Sequence, residues 1–157
     1  MTEQIKKSNY YLYYKNSLFM MLIIYIILFF MFLVILMPTL SYLDNIVVLL
    51  MFIGYLGLFS LIFLPFIIYY LYKLRIVNKN LEDYKRYEAL ITNIQTPVMI
   101  RANHREVTLN IELLNINVTT RVYKSLSSNL YDDIGKNQLV KVAYNKKIDS
   151  TIILNVI

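Results

Sequence analysis

The run "LFMMLIIYIILFFMFLVILM", residues 18–37, decides the fold because it is twenty residues long and contains no Asp, Glu, Lys, Arg or His. A second run, "IVVLLMFIGYLGLFSLIFLPFIIYYLY" at residues 46–72, is equally free of charge. A helix rises about 1.5 Å per residue, so each run can cross a hydrocarbon core of about 30 Å. The sequence therefore predicts two transmembrane helices joined by a short external loop at residues 38–45.

The first run could instead be a secretory signal peptide. Such a peptide has an apolar region of about 7 to 15 residues that ends at a small-residue cleavage site. The segment that follows here, "PTLSYLDN", has no such site and leads into the second run. We therefore expect a retained helix and a multi-pass membrane protein.

Basic residues flank the two runs on one side only. They precede the first run and follow the second, whereas the loop carries Asp44 and no Lys or Arg. Basic residues near the ends of a span are retained on the cytoplasmic side. The flanking residues are Lys6, Lys7, Lys15, Lys73, Arg75 and Lys79. We expect a protein of the cell membrane with both termini in the cytoplasm.

Tyrosines gather beside these basic flanks. The stretch "NYYLYYKNS" at residues 8–16 precedes the first span, and a second group ends the second span. Tyrosine rings collect at the headgroup level because the ring is apolar and the hydroxyl is polar. A composition rich in Tyr and Asn does not explain this clustering. The clustering predicts that these aromatic and basic residues contact membrane lipids at the interface. They are Tyr10, Tyr11, Tyr13, Tyr14, Lys15, Tyr69, Tyr70, Tyr72, Lys73 and Arg75.

The second run carries small residues that suggest a helix-packing face. Gly54, Gly57 and Ser60 are spaced by three and could let the first helix approach closely, although scattered small residues are common in membrane spans. Pro65 should kink the second span or break its last turns. No ionisable group lies at depth in either run, so a single hairpin is not expected to transport ions. An oligomer that forms a channel remains an alternative.

The C-terminal part of the chain predicts a β-domain. Val107, Leu109, Ile111 and Leu113 alternate with polar residues, which is the period of a strand with one buried face. Further β-like runs occur at residues 89–95, 98–102, 139–144 and 151–157. The predicted fold is a membrane α-hairpin followed by a small antiparallel β-sheet or barrel-like domain. The predicted division is a cytoplasmic N-terminal segment at 1–17, spans at 18–37 and 46–72, the loop at 38–45, a polar linker or helix extension at 73–86, and the β-domain at 87–157.

The segment "YDDIGKNQLVKVAYNKKIDSTIIL", residues 131–154, resembles the end of a widespread family of unknown function. In that family one or two membrane helices precede a small β-domain, which ends with a Gly-led turn, a Val-x-Val-x-Tyr strand and a last apolar strand. Gly135, Val140, Val142 and Tyr144 would fill the first of these positions. The prolines that the family has after this strand are replaced here by residues such as Lys146. The resemblance implies architecture only.

The sequence carries no recognisable catalytic, metal or cofactor site. It has no cysteine, and its one histidine, His104, is expected in an exposed hairpin turn. Asp132, Asp133 and Gly135 lack the spacing of a calcium loop and are read as a turn. Neither a phosphate-binding loop nor zinc spacing occurs. Nucleic-acid binding is not expected, because a basic face interleaved with stacking aromatic residues is missing.

These observations favour a non-enzymatic, two-span membrane protein whose cytoplasmic β-domain binds a protein partner or the inner leaflet. One alternative is an immunity protein that protects its producer from a membrane-active toxin or bacteriocin. A further alternative is an oligomeric channel-like protein. The sequence leaves the oligomeric state and the identity of the partner open.

Overall fold

The computed structural model describes residues 1–39, 44–96, 103–124 and 130–157, and the predicted strand at 98–102 lies outside them. The chain divides into two compact units. Lys15–Lys73 forms one, which we call the hairpin unit, and Met1–Tyr14 with Leu74–Ile157 forms the other, which we call the β-unit. The segment before the first span thus folds with the C-terminal part of the chain.

Two of the described helices are long and apolar enough to cross a membrane: α2 (Asn9–Thr39) and α3 (Asn45–Lys79). The most apolar part of each is unburied within the chain, so these helices are not the core of a soluble fold. Such a continuous apolar surface needs lipid to cover it. The chain is therefore a membrane protein with a β-domain. Both helices extend beyond the predicted spans, and α3 continues through Pro65 instead of breaking there.

The β-unit begins with the short helix α1 (Thr2–Lys7) and, in its described part, contains a five-stranded antiparallel sheet. Two 3₁₀ turns, Leu81–Asp83 and Glu112–Leu114, and the helix α4 (Leu130–Asp133) connect its elements. The strand order is β3-β2-β1-β4-β5. The strands are β1 (Lys85–Gln95), β2 (His104–Ile111), β3 (Ile116–Tyr123), β4 (Leu139–Asn145) and β5 (Ser150–Val156). This confirms the predicted fold class of a helical hairpin followed by a small antiparallel β-domain.

The sheet curls until its two edge strands approach each other. The Thr120 hydroxyl on β3 donates a hydrogen bond of 2.6 Å to the Thr151 carbonyl on β5. Register shifts in β1, between Ile91 and Asn93, and between β4 and β5 mark bulges, which increase strand curvature. A meander of β1 to β3, a β4–β5 hairpin paired to β1, and a short helix between β3 and β4 give the connectivity of an OB-type barrel, which is five-stranded and partly open. Folds of this kind serve many functions, so function has to be argued from the site.

The core lies inside the curl and follows the two-residue period of the strands. Val107, Leu109 and Ile111 on β2 are fully buried, and Leu130 of α4 packs into the same cluster. The expected continuation to Leu113 is wrong, because β2 ends at Ile111 and the chain turns through the Glu112–Leu114 3₁₀ turn. Leu113 is 81% exposed as a result.

Candidate functional site

The N-terminal residues of the β-unit are anchored by a buried isoleucine. Ile5 on α1 is 0% exposed and packs in a cluster with Val77, Tyr84, Ala143 and Ile152. The Arg86 guanidinium donates to the Gln4 side-chain oxygen. The segment expected to be only a membrane anchor therefore contributes to the core of the folded unit.

A second anchor is a cluster of aromatic rings around Tyr123, the last residue of β3. The Tyr13 ring stacks on the Tyr123 ring with centroids 4.0 Å apart and planes 13° apart. The Tyr14 and Tyr123 hydroxyls are 2.9 Å apart, and Tyr10 lies 4.8 Å from Tyr14, centroid to centroid. The Asn9 amide donates to the Tyr123 carbonyl at 2.9 Å, which occupies a backbone acceptor at the edge of the sheet. We call Tyr10, Tyr13, Tyr14 and Tyr123 the tyrosine cluster.

The structure places the predicted membrane-interface residues that precede the first span in protein contacts. Tyr14 is 3% exposed, and the Tyr11 hydroxyl donates to the Asn78 side-chain oxygen at 3.3 Å. Lys15, the first residue of the hairpin unit, is exposed. The sequence did not predict the contact with Tyr123, because no local pattern links residues more than a hundred positions apart. Lipid contact by these rings stays a prediction.

The predicted interface residues that end the second span fall in both units: Tyr69, Tyr70, Tyr72 and Lys73 belong to the hairpin unit and Arg75 to the β-unit. The Lys73 ammonium lies 5.7 Å from the centre of the Tyr69 ring, within the range of a cation–π interaction. Tyr69 and Tyr70 contact each other edge to face, with centroids 5.6 Å apart. Tyr72 and Arg75 are exposed. A headgroup position for these side chains also stays a prediction.

Aromatic residues pack between the two membrane helices. The Phe32 and Tyr55 rings stack with centroids 3.9 Å apart, and the Tyr55 hydroxyl donates to the Leu28 carbonyl at 2.5 Å. A Cβ added at Gly54 or Gly57 would meet no atom within 4 Å. In the single chain the two glycines are therefore in open space, and their role in helix packing stays a prediction.

Ser60, the third residue of the predicted packing face, does contact the other helix. Its hydroxyl lies 3.4 Å from the Tyr25 hydroxyl of α2. Tyr25 also packs edge to face against Phe63, with ring centroids 6.0 Å apart. Large rings need room between the helix axes, so close approach through glycine would be incompatible with this interface.

A groove lined by both charged and apolar residues opens at the start of β1 and the end of β4, with a volume of about 350 Å³. Side chains from the 3₁₀ turn before β1, from the β2–β3 turn and from the β4–β5 turn form its walls. We call it the lysine groove, lined by Glu82, Asp83, Lys85, Tyr87, Leu114, Tyr144, Asn145, Lys146 and Lys147.

The β4–β5 side of the lysine groove is held by hydrogen bonds. Asn145 is 0% exposed, its side-chain oxygen accepts a bond of 2.9 Å from the Lys147 N–H, and its amide donates to the Asn80 carbonyl at 3.4 Å. The Lys147 ammonium pairs with the Asp83 carboxylate at 2.7 Å. These bonds connect the turn before β1 to the β4–β5 turn, so the groove is formed before anything binds.

The floor of the groove contains a tyrosine that stays neutral. Burial raises the pKa of the Tyr144 hydroxyl, and its hydrogen bond of 3.1 Å to the Asp149 carboxylate raises the pKa further. The Tyr144 and Tyr87 rings meet edge to face with centroids 6.3 Å apart. The floor is therefore an uncharged aromatic surface beneath a charged rim.

Leu114 of the lysine groove and Tyr123 of the tyrosine cluster lie at opposite ends of β3. Lys85 starts β1 and pairs with Tyr144, and Leu114 is two residues before β3 begins. Tyr123 ends β3 and pairs with His104 at the start of β2. Eight residues of β3 separate the two ends, or about 25 Å at the rise of a strand.

His104 was expected in an exposed turn, but the structure corrects this. It is the first residue of β2, is half-buried, and lies 5.6 Å from the Tyr123 ring, centroid to centroid. Within the described ranges no group of three His, Cys, Asp or Glu side chains could hold a metal ion.

Comparison with protein families, with curated proteins and with solved structures finds no match for this chain. The resemblance of residues 131–154 to a family of unknown function therefore stays a prediction. Any function has to be argued from the geometry of the two units.

Proposed function

We propose that this chain is a non-enzymatic binding protein of the cell membrane whose β-unit lies in the cytoplasm and binds a protein partner. The lysine groove carries the proposal. It is a pre-formed concave site with charged and apolar walls, and concave sites with a few placed polar groups are where proteins bind ligands.

The mixed charge of the lysine groove favours a protein partner over the inner leaflet. Glu82 and Asp83 line the groove beside its three lysines, and their carboxylates would repel anionic headgroups. A protein segment carries hydrogen-bond donors as well as carboxylates, so it can meet both signs of charge.

Two observations support the proposed orientation. Met1–Tyr14 folds with Leu74–Ile157, which requires both ends of the chain on one side of the membrane. The basic residues that flank the spans also belong to that side, and Lys and Arg near span ends are retained in the cytoplasm.

Cysteine labelling tests this orientation, because the chain has no cysteine of its own. Single cysteines are introduced as Asp44→Cys, before α3, and Lys146→Cys, on the rim of the groove. A membrane-impermeant maleimide should label Asp44→Cys on intact cells and Lys146→Cys only after permeabilisation. Labelling of Lys146→Cys on intact cells would contradict the orientation.

Site-specific photo-crosslinking tests the binding function. A benzophenone amino acid replaces Leu114 in the groove and, as a control, Leu139 at the other end of β4, which has similar exposure. We expect a protein adduct in living cells from position 114 and none from position 139. The same adduct from both positions, or adducts with lipid alone at position 114, would contradict a protein-binding groove.

Protection against a toxin and channel formation stay predictions from the sequence. Neither is favoured by a particular contact among the described residues, whereas partner binding is favoured by the groove.

A further inference from the structure

We infer that the lysine groove binds an acidic protein segment that places an apolar side chain against Leu114. This inference rests on the proposed binding function. It goes beyond that function because it names the chemistry of the partner. The charge of the rim, the apolar wall and the rigidity of the site each contribute to it.

The rim carries lysines that form no ion pair within the described part of the chain. Lys147 is paired with Asp83, whereas no ion pair to Lys85 or Lys146 forms among the described residues, and both side chains are exposed. Lys147 also keeps donors beyond the one used by Asp83. The groove can therefore accept a carboxylate at each of two lysines without breaking an existing pair.

The apolar wall explains why the partner should present a hydrophobic residue. Leu114 is 37% exposed and borders the Tyr87 and Tyr144 rings, and the adjacent Leu113 is exposed at the tip of the turn. Binding that buries Leu114 and the half-buried Tyr87 ring would be driven by loss of apolar surface from water. Buried apolar anchors inside a polar rim are the usual anatomy of a specific protein interface.

The site is pre-organised for a partner. Asn145 is buried and bonds both to Lys147 and to Asn80, and Asp149 adopts a left-handed conformation with φ 44° in the same β4–β5 turn. The backbone that carries Lys146 and Lys147 therefore loses little conformational freedom on binding, and reduced ordering costs increase affinity.

A peptide fits this surface better than a nucleic acid. A phosphodiester backbone carries a charge on every nucleotide and would place phosphates beside Glu82 as well as beside the lysines, and Tyr144 is buried instead of presenting its face for base stacking. A peptide can place its carboxylates at the lysines and its backbone N–H groups toward Glu82. The mixed rim therefore favours an acidic segment with free backbone donors.

The test uses the full chain in nanodiscs of neutral phosphatidylcholine and two fluorescein-labelled peptides. One peptide has a central Leu-Leu pair flanked by glutamates, and its twin has every glutamate replaced by lysine. We expect fluorescence anisotropy to report binding of the acidic peptide, weakened by salt, and no binding of the basic twin.

Variants of the groove then locate the site. Lys85→Glu combined with Lys146→Glu should weaken binding about tenfold, and Leu114→Ser should also weaken it about tenfold. Lys141→Glu and Leu139→Ser change exposed residues of the same types outside the groove and should leave binding unchanged. The altered lysines are exposed, so we expect these variants to fold. Melting temperatures equal to that of the wild type would verify this.

Several outcomes would overturn the inference. These are equal binding of both peptides, no binding of the acidic peptide, an equal effect of Lys141→Glu, or competition by anionic phosphatidylglycerol that removes all binding. A crosslinked protein at position 114 together with failure of the acidic peptide would show a partner of different chemistry. That result would leave the proposed function standing and refute this inference alone.

Discussion

Replacing Ile5 by alanine tests whether the N-terminal segment belongs to the folded β-unit or serves only as a membrane anchor. Ile5 is fully buried against Val77, Tyr84 and Ile152. The substitution removes three carbon atoms, or about 2.4 kcal/mol of transfer free energy at about 0.8 kcal/mol per methylene. The cavity left behind adds to this, so the free energy of unfolding should fall by about 3 kcal/mol.

The expected change is large enough to measure by thermal melting of the full chain in nanodiscs. The β-unit contains roughly a hundred residues, for which 1 kcal/mol corresponds to about 4–8 °C. Ile5→Ala should therefore lower the melting temperature of the β-unit by about 15 °C.

Ile157→Ala is the matched control, because Ile157 is exposed in the same unit. It should change the melting temperature by less than about 3 °C. If Ile5→Ala melted like the wild type, the packing of the segment against the sheet would be refuted, and the segment would be a membrane anchor as the sequence first suggested.

Three further predictions follow from the contacts. Asn9→Ala removes the hydrogen bond to the edge of β3 and should lower the melting temperature of the β-unit by about 5 °C. Gly57→Leu should leave the hairpin unit as resistant to proteolysis in nanodiscs as the wild type, because a side chain added at Gly57 meets no neighbour. Tyr55→Ala should reduce this resistance, because it removes the ring that stacks on Phe32. Loss of resistance in Gly57→Leu would show that the glycine is needed for packing. Burial raises the pKa of the Tyr84 and Tyr144 hydroxyls, because the folded state favours their neutral form. The stability that the two neutral tyrosines contribute is present below pH about 10 and is lost as the pH rises through their raised pKa values. The melting temperature should fall above pH about 10, and this fall should be smaller in the Phe variants; a flat profile to strongly alkaline pH would contradict it.

The alternation of apolar and polar residues predicted part of the sheet correctly, because this pattern is local in the sequence. Alternation at Val107, Leu109 and Ile111 identified a buried strand face because side chains of a strand point to opposite faces in turn. The same alternation wrongly included Leu113, since the pattern carries no information about where the chain must turn. The helix bounds differed for a similar reason: a hydropathy limit marks where lipid begins, not where helical hydrogen bonds end.

The lysine groove could not be predicted from the sequence. Its walls come from the turn at Glu82, the turn at Leu114 and the turn at Lys146, which are separated by about thirty residues each along the chain. The strand order β3-β2-β1-β4-β5 brings them together at one end of the sheet. The sequence showed that these turns were polar and basic but not that they meet.

By itself the sequence determined that two uncharged segments belong in lipid and that the C-terminal part forms strands. Both follow from the free energy of transferring side chains out of water, which depends on composition and period alone. Only the tertiary structure decided that residues 1–14 join the β-unit, that aromatic rings pack between the two helices of the hairpin, and that three distant turns form one groove. These features depend on contacts between residues far apart in the chain, such as Tyr13 with Tyr123, and chain folding alone brings such residues within a few ångströms.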